Sequence, residues 1–183
     1  MIKHPCHKLA LLAAALLALP LAHSAVISKA DYDAGKTRIK AEYTSDKAAC
    51  SSQSGNAKDI CVEEGKAKEK VALAELEYSY SGKPADRTKV LVAKAESTYA
   101  VAKERCDDLA GNPKDVCVKE AKAAEIKALA DAKLGKEIGE ARKDAASDKN
   151  DADYKVALEK CDALAGDAKA SCVASAKSTY GKT

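Results

Sequence analysis

Three segments of the chain share one restrictive pattern. Cys50 to Cys61, Cys106 to Cys117 and Cys161 to Cys172 each hold ten residues between two cysteines, with a Gly five positions after the first cysteine and a Lys eight after it. The interior of each segment reads as helix punctuation. Gly111 suits the left-handed position that closes a helix, because it carries no Cβ to clash there. Asn112 offers a side-chain oxygen to cap the following helix, Pro113 fits its first turn, and Asp115 places negative charge near its N-terminus. Gly55-Asn56-Ala57 and Gly166-Asp167-Ala168 repeat the signal. Each segment is therefore expected to be a tight helical hairpin.

That expectation positions the sulfurs. The two cysteines of a segment lie roughly 6–8 Å from the turn at about 1.5 Å per residue, so they stand level across the hairpin. A disulfide needs Cα atoms about 5.5 Å apart, which facing positions on touching helices can meet. The expected pairs are Cys50–Cys61, Cys106–Cys117 and Cys161–Cys172. Metal ligation would favour closely spaced cysteine pairs or histidines, and redox chemistry a C-x-x-C pair. Neither occurs.

Residues 1–24 read as a signal peptide. Lys3 and Lys8 precede an apolar run from Leu9 to Leu19, and Ala22-His23-Ser24 is a small-x-small cleavage site. The run is too short to span a bilayer comfortably. Cleavage after Ser24 would remove Cys6 and leave six cysteines. An even number suits disulfides in an oxidising compartment. Cleavage would also remove His4, His7 and His23, the only histidines. Of 31 basic residues Lys3 and Lys8 would go, leaving 29 against 28 acidic ones, a balance near +1. What remains is rich in Ala, Lys, Asp and Glu and has no Phe or Trp. Such a composition favours helix. Alanine buries little apolar area, so these helices gain little from their core. Three staples, each worth roughly 3 kcal/mol for a loop of about a dozen residues, would offset that weakness.

The cysteine pattern recurs at a near-constant interval, from Cys50 to Cys106 and again from Cys106 to Cys161. A Tyr stands seven before each first cysteine (Tyr43, Tyr99, Tyr154) and a Lys five after each second one (Lys66, Lys122, Lys177). A self-similar period of this kind, roughly 55 residues, marks stacked helical units. Each Tyr is two turns from its cysteine, on the same face, and is expected to pack over the hairpin seam. The fold class is all-α: three disulfide-stapled antiparallel hairpins, as a bundle or an elongated rod. After the signal peptide, residues 25–183 form a single repetitive domain with units near 29–80, 84–135 and 140–183. Expected helices run from Lys29 to Ser54, Ala57 to Tyr80, Ala85 to Ala110 and from Pro113 onward, with a last one from Ala168 to Tyr180. Gly82 and Pro84 mark a break between units. Gly135 and Gly139 suggest a hinge, and the sequence alone leaves open whether the helix continues past them. A turn there would gather all three staples at one end; without it the molecule is a rod.

Known chemistry finds no purchase. Without histidine, Ser/His/Asp and Cys/His arrangements are impossible beyond residue 24. No phosphate-binding, dinucleotide or zinc-protease motif occurs. Asp148 to Asp153 is acidic but lacks the Gly and distal Glu of a calcium loop. Lysines alternate with acids, so there is no basic stripe for nucleic acid, and the charges read as ion pairs along helix faces. No enzyme activity, cofactor, metal or catalytic residue is expected, and no transmembrane segment after signal cleavage.

The C-D-x-L-A-G-[ND]-x-K-x-x-C repeat and the Ser81-Gly82-Lys83-Pro84-Ala85-Asp86 turn stand in an Ala/Lys-rich helical context behind a signal peptide. Together they resemble those of exported Ala/Lys-rich helical proteobacterial proteins of unknown function, often labelled TolA-like or cell envelope biogenesis proteins. The resemblance covers the whole chain after residue 24. TolA itself shares only the Ala/Lys composition of its long helical spacer, and no functional residue carries over. The resemblance implies a cell-envelope setting in a Gram-negative bacterium, and the first expectation for function is a non-enzymatic periplasmic scaffold or interaction protein, its partners envelope proteins or further copies of itself. The competing expectation is a chaperone-like or small-ligand binding module.

Overall fold

In the computed structural model, residues 26–183 are described; the expected signal peptide lies outside them. Five α-helices follow in order: α1 (Lys29–Ala49), α2 (Gly55–Ser81), α3 (Pro84–Cys106), α4 (Gly111–Asp162) and α5 (Gly166–Tyr180), with one 3₁₀ turn at Cys50–Ser52. No strand occurs among the described residues. The all-α, stapled-hairpin class is thus the observed one.

Among the described residues each helix packs only on its neighbours in the chain: α1 on α2, α2 on α3, α3 on α4, and α5 back onto the end of α4. The result is an open layer and not a closed bundle. Among the described residues its buried apolar side chains are few and small, chiefly Ile39, Val90, alanines such as Ala93 and Ala132, and the first cysteine of every pair. Close approach compensates in part. Gly35 of α1 lies directly beneath the Leu76 side chain of α2, where an added Cβ would come within 2.7 Å of it. Tyr32 stacks on Tyr80 at 4.5 Å and donates to the Glu77 carboxylate at 2.5 Å, closing the other end of the same hairpin. That hydrogen bond holds the Tyr32 hydroxyl above its ordinary pKa.

The turn between α2 and α3 follows the sequence signal. Gly82 takes φ +62° and ends α2, its N–H bonding to Tyr78 O at 2.8 Å, and Pro84 opens α3. The Ser81 hydroxyl accepts from Lys83 N and donates to the buried Asp86 carboxylate at 2.6 Å.

The stapled turns differ from expectation in one respect. The helices before them stop early, at Ala49 and Cys106 where Ser54 and Ala110 were expected. The chain then runs extended through Ser54, Ala110 or Ala165. Gly55, Gly111 and Gly166 do adopt left-handed conformations, φ +56°, +58° and +56°, but they begin the second helix instead of ending the first. Asn112 therefore sits inside α4, past the capping position, and no side chain caps that helix. Pro113 still falls within the first turn, where a missing N–H is harmless.

The larger difference concerns Gly135 and Gly139. No turn or hinge is seen: α4 runs unbroken for 52 residues. An added Cβ on either glycine would meet nothing within 4 Å, so neither serves a close approach. Without a turn there, the third staple does not join the other two. Cys117 and Cys161 both lie on α4, near its opposite ends. At the helical rise per residue they stand about 66 Å apart.

Candidate functional site

The three staples form where the spacing placed them. Cys50–Cys61, Cys106–Cys117 and Cys161–Cys172 are disulfides with Cα separations of 5.7, 5.7 and 5.6 Å. In each, the first cysteine is buried and the second half-buried. The repeated lysine eight after the first cysteine also acquires a role. Lys114 pairs with Asp107 at 2.9 Å and Lys169 with Asp162 at 2.9 Å, a second tie across the same turn. The first copy has Ser51 at the position of the aspartate.

The repeated tyrosines lie at the seam, half-buried. Tyr43 covers Gly65 of α2, its ring about 3.6 Å from where a Cβ would stand. The Tyr99 ring lies 4.8 Å beneath the Lys122 ammonium, which also bonds to the buried Glu125 carboxylate at 2.5 Å. That carboxylate raises the Lys122 pKa. Tyr154 meets Tyr180 of α5 at 6.0 Å between ring centres.

Sequence reasoning missed the ion pairs that join different helices. Lys68–Asp46 (3.0 Å) ties α1 to α2; Lys94–Glu75 (2.7 Å) and Lys70–Glu96 (2.6 Å) tie α2 to α3. Arg105–Glu64 (2.6 Å) and Asn56 Nδ2 donating to Glu104 O (3.0 Å) set the first stapled turn against the end of α3. Only along-helix spacing is legible without a fold, and these partners lie far apart in the chain, Asn56 and Glu104 by 48 positions. The acidic run from Asp148 to Asp153 is continuous helix. In it Asn150 donates to Tyr180 O at 3.1 Å and Asp151 pairs with Lys182, anchoring the end of α5. Lys182 holds the Asp151 carboxyl below its ordinary pKa.

Two grooves open on the layer. One, of about 540 Å³, lies between α2 and α3 and is floored by Ala67, Val71, Ala72 and Val101. The other, of about 400 Å³, lies between α3 and α4 and is floored by Ala95, Ala124, Ala128 and Ala132. They share Lys94, Thr98 and Ala102 of α3. Among the described residues no group of three or more His, Cys, Asp or Glu side chains is arranged to hold a metal ion. No helix there is long and apolar enough to cross a membrane.

Residues 133–149 of α4 are the remaining feature. They are helical and exposed at every position, with α3 packed before them and α5 after them. This bare span, about 25 Å long at the helical rise, connects the two stapled parts. No protein-family model, curated protein or solved structure matches this chain.

Proposed function

We propose that the chain is an exported, non-catalytic scaffold of the Gram-negative periplasm, which holds two stapled surfaces apart for contact with cell-envelope proteins. The observation that carries this reading is α4, one continuous helix with stapled hairpins at both ends and a bare span between them. Export is supported by the signal-like residues 1–24 and by three disulfides. Such bonds persist in oxidising compartments. A non-catalytic role is supported by the lack of any histidine beyond residue 24. No cofactor is invoked.

The alternative is a chaperone-like or ligand-binding module, favoured by the two alanine- and valine-floored grooves. Periplasmic cross-linking with mass spectrometry separates the two. Recovery of one stoichiometric envelope partner supports the scaffold; capture of many unrelated, unfolded proteins through α2–α4 supports the binding module.

A further inference from the structure

The helix α4 carries its two neighbours on one side. Ala121, Glu125, Ala128 and Ala132 face α3, while Asn150, Tyr154 and Cys161 face α5. At about 100° per residue these two sets point in nearly the same direction. Among the described residues the opposite side has no partner along α4. Farthest from both neighbours lie Val116 and Leu134, with Ile138 and Val156 on one flank and Ile126 on the other; together these five are half of the large apolar side chains that the described chain leaves exposed, Ile126 being 57 % accessible and Leu134 54 %.

Across the bare span the stripe adopts heptad spacing. Leu134, Ile138, Ala141, Ala145, Asp148 and Ala152 follow at intervals of 4, 3, 4, 3 and 4. That alternation is the one made by the two seam positions of a coiled coil. The flanking charges then select one partner. Glu137 and Asp144 fall on one edge of the seam, Arg142 and Lys149 on the other. In a parallel pair of identical helices, an edge residue faces the opposite edge five positions further along the partner. Glu137 would then meet Arg142 and Asp144 would meet Lys149, twice each by symmetry. In an antiparallel pair the acidic edges would face each other and repel.

We propose that α4 is the interface of a parallel, in-register homodimer, two copies joined along residues 134–152 with their stapled hairpins turned outward. This goes beyond the scaffold role and does not depend on it, since a monomer would still serve as a spacer. The bare span supplies an independent reason for a partner. It contains two glycines and only two ion pairs along its length, Lys133–Glu137 and Lys136–Glu140, both at 3.8 Å. Helices in proteins gain most of their stability from packing an apolar face, which this span lacks among the described residues and a second helix would supply.

The test is sedimentation equilibrium of the oxidised protein between about 1 µM and 1 mM. A reversible dimer is expected, tightened at least about tenfold by Asp148→Leu, which removes two facing like charges from the seam. The variants E137K/D144K and R142E/K149E should each be monomeric with unchanged helicity, and mixing them should restore a heterodimer. A protein monomeric throughout the range overturns the proposal. So does an E137K/D144K variant that pairs with the wild-type chain more tightly than the wild type pairs with itself, the result required by antiparallel helices.

Discussion

Glycine occupies two opposite situations within α4. Gly111 begins the helix at φ +58° and meets no neighbour that an added Cβ would touch, so a side chain there strains only the backbone. Gly135 has no such left-handed backbone, and open space surrounds it. The same substitution should therefore have opposite signs. Gly111→Ala is expected to destabilise by about 1–2 kcal/mol, the cost of a left-handed L-residue. Gly135→Ala should stabilise by about 0.5–1 kcal/mol, the helix preference of Ala over Gly. Denaturant midpoints of the two variants check both. Asp86 sets a pH dependence at this scale. The hydrogen bonds from Lys89 and Ser81 hold its carboxyl below the ordinary value of 3.8 in the folded protein. A carboxyl depressed in this way stabilises the fold fully above its unfolded pKa and loses that contribution as pH falls through the lower folded value. Asp86→Asn should lower the melting temperature at pH 7 and flatten the loss of stability below about pH 4. An unchanged acid limb would refute this assignment.

The stapled hairpin is the element whose stability rests least on packing. Among the described residues the helix α5 touches only α4, and apart from Cys161 only Ala176 is buried there, with Tyr154, Leu158, Val173 and Tyr180 partly covered. A disulfide closing such a loop contributes roughly 3 kcal/mol. Replacing Cys161 and Cys172 with Ser should therefore release α5 while the remaining layer stays folded. Hydrogen exchange would show α5 amides unprotected and those of α1–α3 unchanged. The staples were legible in the sequence because the turn brings together only residues a few positions away. The handedness of Gly55, Gly111 and Gly166 was legible too, but not the side of the turn they serve. A glycine of positive φ can end one helix or begin the next, and a few residues of spacer decide which. Nor could the sequence decide whether α4 continues past Gly135 and Gly139. Two glycines cost about 2 kcal/mol against Ala, while propagation favours continuing an existing helix, and the terms nearly balance.

At the scale of the molecule, everything turns on whether the bare span transmits distance. The helix α4 is about 78 Å long at the rise of an ideal helix. Among the described residues, the stapled turns near its two ends have no other connection. If residues 133–149 hold as helix in solution, lengthening them must separate the ends by the helical rise. A duplication of residues 140–146 inserts one heptad and brings in no glycine. One heptad rotates the far end of a straight helix by only about 20°. The α5 hairpin would then stay on the same side of α4. Spin labels on α3 and α5 should move apart by about 10 Å, seven times the rise per residue, with all three disulfides retained. A broad distance distribution that barely shifts would mean that the glycines break the helix, and that the two stapled parts are tethered and not held at a set spacing. The substitutions Gly135→Ala and Gly139→Ala should narrow the distribution in the first case without moving its centre, because they add helix preference where the helix already exists. Spacing under control of a single helix is the property a scaffold needs, and this measurement addresses it without knowledge of any partner.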